Sequence, residues 1–305
     1  MHLLKYLLYS GCYFVKRQVF RQKIPFIGGL VLNESCNLSC PHCHVGKLAN
    51  RQNDMSFSES CNGIDALYAR GVRNLAITGG EPFFWKSGSH DVREVILYAR
   101  KKGFHAISVY TNGTLPFDCD ADTVFVSIDG VAETNDTLRG CHTFAKVMRN
   151  LDASSHHNII INFTINRLNS QDIRAVCKLV QDHPKLGGIF FYFHTPYYGV
   201  DELFQTLEQK RPIVDQIMQF KRNGFPICNS TASLRSFYAD TWKRPSDLCI
   251  VYSQGKFSTC CRSISNGEGC QNCGYLGYSE LQEILKLKPS AIRAGLRYIS
   301  NKTGR

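Results

Sequence analysis

Six short runs rich in β-branched and aromatic residues, each closing on glycine or polar residues, constrain this chain more than any other feature. They are IGGLVLNES from Ile27, NLAITGG from Asn74, HAISVYTNG from His105, TVFVSIDG from Thr123, NIIINFTIN from Asn158 and GIFFYFH from Gly188. Helix-like stretches lie between them, among them SFSESCNGIDALYARG, DVREVILYARKKG, a helix through Phe144 to Leu151, and SQDIRAVCKLVQDH. Strands separated by helices pair in parallel, because a parallel neighbour needs a long crossover. The expected class is therefore α/β, a partial (β/α)6 TIM-like barrel with a small cysteine-rich C-terminal extension. An open Rossmann-like sheet is the alternative.

The rhythm defines three regions. Residues 27–225 carry the six units and a further helix around Leu207 to Asn223, and residues 226–305 lose the alternation and become rich in cysteine. Residues 1–26 read as a separate basic amphipathic helix. Leu3, Leu4, Leu7, Leu8, Phe14 and Val15 share one helical face, Lys5 and Lys16 point away, and Arg17, Arg21 and Lys23 follow. Such a helix either caps the open bottom of a barrel, the commoner use of the pattern, or lies on a membrane surface.

The formal net charge is +11, but the basic residues are scattered or sit at the two ends, so no nucleic-acid partner is expected. An anionic substrate, a membrane surface contacted through residues 1–24, or a merely solvated exterior would use the same charge. Lys5 interrupts the first apolar stretch and no small-residue cleavage site follows it, which points to the cytoplasm, with peripheral membrane contact left open. The longest uncharged run near the start, Tyr6 to Val15, falls short of the ~20 residues that span a bilayer. In a reducing compartment the 14 cysteines read as metal ligands and buried thiols rather than disulfides.

Cys36, Cys40 and Cys43 fall within eight residues at the end of the first strand. Three thiolates on a [4Fe-4S] cube leave one iron without a protein ligand and free to bind a small molecule. A zinc site completed by His42 or His44 is the alternative that spacing allows. One βα unit later, Thr78-Gly79-Gly80-Glu81-Pro82 ends the second strand. Its glycines permit close backbone approach, and its carboxylate and strand-end carbonyls can accept from an ammonium group.

Together these motifs resemble the radical S-adenosylmethionine superfamily over residues 27 to 225. The resemblance implies that the methionyl amine and carboxylate of S-adenosylmethionine chelate the open iron, and that reductive cleavage yields a 5′-deoxyadenosyl radical. It implies contact of the methionyl amine with Gly79, Gly80, Glu81 and Pro82. His42 stands where an aromatic residue normally meets adenine, Ser127 and Asp129 resemble the ribose-binding position, and Arg139 resembles the arginine that holds the cofactor carboxylate, a surface salt bridge being the equal alternative for that residue. Asn112, which ends the third strand, and Thr164 on the fifth are further cofactor-binding candidates. Asn162, Thr164 and His194 face adenine or substrate, or else are satisfied polar groups of the core, the commoner case.

Five more cysteines, at 249, 260, 261, 270 and 273, crowd into 25 residues, with Gly255 before the CC pair. They resemble the auxiliary-cluster or twitch regions of radical enzymes, in which a strand hairpin and the following loop bind a second cluster. That resemblance implies a second [4Fe-4S] cluster on Cys249, Cys260, Cys270 and Cys273, a structural zinc ribbon being the alternative. Neighbours on an extended segment point to opposite sides, so one of the CC pair is expected to be free. Cys261 is the candidate catalytic residue, as a hydrogen donor, unless it is an idle buried thiol. The remaining cysteines, at 12, 61, 119, 141, 177 and 228, read mostly as small buried hydrophobes.

The expected protein is an enzyme using a [4Fe-4S] cluster, S-adenosylmethionine and an electron donor such as flavodoxin or ferredoxin. A non-catalytic zinc-binding protein is the alternative. The basic start and short cysteine-rich end are similar to radical enzymes of hopanoid and isoprenoid-lipid biosynthesis, so a lipid is favoured as substrate over a peptide or a sugar.

Overall fold

The computed structural model describes residues 2–43, 53–261 and 267–300, the side chains of residues 2–5 and 297–300 excepted. His44, one of the two histidines that would complete a zinc site, lies outside the described residues.

In chain order the elements are α1 (His2–Gln18), β1 (Ile27–Val31), α2 (Phe57–Ala69), β2 (Asn74–Thr78), the small hairpin β3 (Lys86–Ser87) and β4 (His90–Asp91), α3 (Val92–Lys102), β5 (Ala106–Thr111), β6 (Thr123–Ser127), α4 (Glu133–Arg139), α5 (Thr143–Ala153), β7 (Ile159–Ile165), α6 (Ile173–Asp182), β8 (Leu186–Phe193), α7 (Leu207–Arg222), α8 (Thr231–Tyr238), β9 (Cys249–Ser253), β10 (Lys256–Thr259), α9 (Gly267–Gln271), α10 (Leu276–Leu285) and α11 (Pro289–Ser300). All six expected strands are present, as β1, β2, β5, β6, β7 and β8, and each pairs in parallel with the next. The main sheet has eight strands in the order β10-β9-β1-β2-β5-β6-β7-β8. This is the sheet of a partial α/β barrel, and it stays unpaired between β8 and β10.

Period-two patterning separates the two faces. On β5, Ile107 and Val109 are fully buried beneath the helices, whereas Ala106, Ser108 and Tyr110 line the lumen. Capping boxes start the outer helices: Ser56 with Glu59 on α2, Asp91 with Glu94 on α3, and Thr206 with Gln209 on α7.

Two features depart from the expected layout. The cysteine-rich region contributes β9, which pairs in parallel with β1 (Ile27 opposite Cys249), and β10, which turns back antiparallel, so this hairpin extends the barrel sheet itself. The N-terminal helix docks through a face other than the leucine face. Tyr13 is buried, Tyr9 and Tyr13 pack against Phe26, and Tyr9 also meets His105. The Tyr9 hydroxyl donates to the Gly71 carbonyl and the Tyr13 hydroxyl to that of Ile24. Phe26, Gly71 and His105 all precede strands, so α1 crosses the strand-start end of the barrel.

Candidate functional site

The loop after β1 carries Cys36, Cys40 and Cys43 over the strand-finish end of the barrel, and it is tied down by groups the sequence did not single out. The Asp54 carboxylate accepts from the Glu34 and Ser35 amides at 2.8 and 3.0 Å. Asn33, fully buried, donates to the Ser35 carbonyl at 2.7 Å and the Glu81 carbonyl at 3.0 Å. The Gly80 and Glu81 amides return bonds to the Asn33 and Ser35 carbonyls. A Cβ at Gly80 would stand 2.0 Å from the Ser35 oxygen, so the glycine lets two backbones interlock.

Glu81 does not aim its carboxylate into the lumen as expected. It is fully buried and accepts from Phe83 N at 3.0 Å, Thr111 Oγ1 at 2.7 Å and Asn112 N at 2.6 Å, bolting the second strand end to the third. Burial pushes its pKa up to about 7, against the pull of these hydrogen bonds. Pro82 is likewise buried in the turn, where its carbonyl accepts from Trp85 N. Asn112 is committed to the cysteine loop. Its Nδ2 donates to Asn37 Oδ1 at 2.8 Å and approaches Cys36 Sγ at 3.7 Å, while the Leu38 amide lies 3.4 Å from the same sulfur. N–H donors aimed at a ligand sulfur tune a cluster and hold its loop.

His42, Asp129 and Arg139, from three separate segments, form one network. Asp129 Oδ2 lies 2.6 Å from the Arg139 guanidinium and 3.1 Å from His42 Nε2, and Oδ1 accepts from the Thr164 amide at 2.7 Å. Burial alone would raise the Asp129 pKa, but the Arg139 charge and the His42 hydrogen bond outweigh it and hold the carboxyl at about 2. Asp129 therefore orients His42 and Arg139, a role beyond the expected one at the ribose. Ser127, Asn162, Thr164 and His194 line the lumen, and His194 Nε2 is held by Asp201 at 2.9 Å.

The fit to a polar cofactor can be tested on buried atoms. His42 Nδ1, Arg139 Nε and Asn162 Oδ1 have no hydrogen-bond partner among the described residues. Buried polar atoms are ordinarily satisfied, and three orphans around one mouth suit a ligand rich in amine, carboxylate and hydroxyl groups. Burial raises the Cys36 and Cys40 thiols, the latter to about 11, with Arg139 pulling Cys40 back. Metal binding would have to displace those protons.

All five C-terminal cysteines line the same lumen as the first three. Cys260 and Cys261 do not alternate as an extended segment would. Cys260 adopts φ +71°, and its thiol is hydrogen-bonded to that of Cys261, which together with burial drives Cys260 upward. Cys261 raises the thiols of Cys249, Cys260, Cys270 and Cys273 alike, and it lines the lumen with them. Tyr197, unmarked in the sequence, lines the same lumen, and its hydroxyl is driven upward by burial and, after it, by Cys273, Cys261 and Cys43. Lys210 was also missed. It is 4% exposed, burial pulls it down to about 8, and Cys273 is the foremost group that opposes the shift. Of the six scattered cysteines only Cys177 is fully buried; Cys12 and Cys141 are exposed, since each faces outward from its helix or turn.

Known proteins bear on this geometry. The Fe-coproporphyrin III synthase of Methanosarcina barkeri is 35% identical over 216 residues, 64% of this chain and 52% of that protein. The sporulation killing factor maturation protein SkfB of Bacillus subtilis is 29% identical over 164 residues, 50% of this chain and 39% of its own. The chain thus spans about half or less of the length of these curated relatives. Among solved structures, anSMEcpe with bound AdoMet and Cp18Cys peptide superposes with a TM-score of 0.60 at 17% identity, covering 90% of this chain and 84% of that one. SuiB of Streptococcus suis bound to precursor peptide SuiA gives 0.60 at 14%, covering 86% and 66%. Residues 30–180 match the profile of the Radical SAM superfamily, and the chain belongs to that superfamily of enzymes, which use a [4Fe-4S] cluster and S-adenosylmethionine.

Proposed function

We propose that the enzyme abstracts hydrogen from, or adds adenosyl to, a large and mainly apolar substrate held in the barrel lumen, an isoprenoid-like lipid being the leading class. One observation carries this reading: a single cavity of about 920 Å³ runs between the two cysteine sets and is walled by Phe26, Tyr110, Phe125, Phe190 and Tyr192. Aromatic walls with few charges favour burial of apolar surface. Cys36, Cys40 and Cys43 would hold the cluster, and His42, Arg139 and Asn162, with the backbone at Gly79 and Gly80, would orient S-adenosylmethionine. When bound, cluster and cofactor supply an electron and a 5′-deoxyadenosyl radical. Cys249, Cys260, Cys270 and Cys273 would hold a second cluster. Cys261 lines the lumen, as a hydrogen donor to bound substrate must, although its thiol also engages Cys260.

A peptide substrate is the second reading, favoured by the likeness to SkfB, named as a maturation protein, and to two structures solved with peptides. The test is to incubate the anaerobically reconstituted enzyme with deuterated polyprenyl lipids or with cysteine-containing peptides and to analyse 5′-deoxyadenosine by mass spectrometry. Deuterium transfer from, or adenosyl attachment to, a lipid is the expected result. Transfer from a peptide alone would replace it with the second reading.

A further inference from the structure

The helix α1 is built with its polarity inverted. At 3.6 residues per turn, Tyr6, Tyr9, Tyr13 and Arg17 share the face turned to the barrel. Arg17 fixes that face by bonding the Ile24 carbonyl and the Asp247 carboxylate, the latter at 2.6 Å, and Gln18 donates to the Leu285 carbonyl at 2.8 Å. The opposite face holds Leu7, Leu8, Cys12, Val15 and, in the turn that follows, Val19, with Phe20 beside it. Leu8 is 61% exposed, Val19 67% and Phe20 66%. A soluble helix of this kind normally turns charged residues outward, so a contiguous apolar ridge on the solvent side marks a contact surface.

Charge identifies the occupant. No acidic residue occurs before Glu34, while Lys5, Lys16, Arg17, Arg21 and Lys23 all precede it. Lys16, Arg21 and Lys23 are exposed beside the ridge. Arg17 is paired with Asp247, but a second copy of this chain would bring its own exposed Lys16, Arg21 and Lys23 against the ridge, whereas an anionic lipid surface supplies both acyl chains for the ridge and phosphates for the cations. Among the described residues no helix is long and apolar enough to cross a membrane, so the contact is interfacial. We infer that the outward face of α1 seats this enzyme on an anionic membrane surface, with the strand-start end of the barrel toward the lipid. Tyr6, Phe26 and His105 belong to the lumen wall as well as to the α1 contact, so the lumen reaches the end that faces the membrane. The inference stands on α1 alone and holds whichever substrate the lumen takes.

The experiment is flotation of the full chain with vesicles of phosphatidylglycerol and phosphatidylcholine, against vesicles of phosphatidylcholine alone, at low and high salt. Expected is binding to the anionic vesicles that weakens with salt. It should fall about tenfold or more in Leu8→Asp/Val15→Asp, which removes apolar surface from the ridge, and fall likewise in Lys16→Glu/Arg21→Glu/Lys23→Glu. Leu168→Asp, an exposed leucine elsewhere, should bind as the unaltered chain does. Thermal unfolding and iron content report whether each variant keeps its fold. Absent binding, binding unaffected by both sets of substitutions, or a dimer in solution that the ridge substitutions convert to monomer would overturn the inference.

Discussion

Glu81 shows how one residue can match a family motif and still have another task in the fold. Its three hydrogen-bond donors converge on two carboxylate oxygens, so in Glu81→Gln an amide NH2 would confront either the Asn112 amide or the Phe83 and Thr111 donors. A buried donor left without an acceptor costs roughly 1–3 kcal/mol, and the variant should melt earlier by that amount. Loss of S-adenosylmethionine affinity at unchanged stability would instead return Glu81 to direct contact with the cofactor. The pH dependence follows from burial, which raises the carboxyl from 4.5 to about 7. Its contribution is full below 4.5 and is lost as pH rises through 7, so denaturation midpoints of Glu81→Gln should fall less over that interval than those of the unaltered chain. Lys210 makes a second case. Its ammonium rests 4.8 Å from the Phe204 ring centre and 5.8 Å from that of Phe193, without a carboxylate at ion-pair distance among the described residues. The Phe193 amide bonds the Gly274 carbonyl, next to Cys273. A buried cation there favours the reduced form of a metal–thiolate group. If the C-terminal cysteines hold a cluster, Lys210→Met should therefore move its midpoint potential to more negative values, with iron content unchanged, and Lys210→Arg should not; redox titration followed by electron paramagnetic resonance distinguishes them.

At the scale of elements, strands with their own crossover helix were legible, because β-branched runs at regular spacing leave few alternatives to a parallel sheet. β9 was not. CIVYS has the composition of a strand, but it pairs with β1, more than 200 residues earlier, and no local pattern encodes a partner at that distance. The same limit explains the CC pair: alternation holds while a strand is extended, and the left-handed turn at Cys260 ends it. In α1 the leucine spacing was read correctly as a helical face, but hydrophobic periodicity does not say which apolar face docks. The tyrosines took the barrel because each buries a ring and still finds a carbonyl for its hydroxyl, which a leucine cannot do. The metal-loop cysteines were legible as a motif. Their supports, Asn33, Asp54 and Asn112, were not, since short polar side chains in loops carry no period.

For the whole molecule, the decisive question is whether two metal groups share one lumen. The N-terminal three cysteines lie on a loop beyond the strand ends, while Cys249 and Cys260 belong to the hairpin β9–β10 and Cys270 and Cys273 to the segment that closes against β8. The two sets hang from different elements, so removing one should not unfold the cradle of the other. Converting Cys36, Cys40 and Cys43 together to Ala should abolish cleavage of S-adenosylmethionine yet leave about four irons per chain after anaerobic reconstitution, held by the C-terminal set. Zinc retained in place of iron would make that set a structural ribbon, and loss of all metal would show that the C-terminal thiols depend on the first cluster. Adding Cys261→Ala to the triple variant then decides the fifth thiol. Retained iron means Cys261 stands beside the cluster, free to give up its hydrogen to a substrate in the lumen; lost iron means that the left-handed turn at Cys260 has presented Cys261, and not its neighbour, as the ligand.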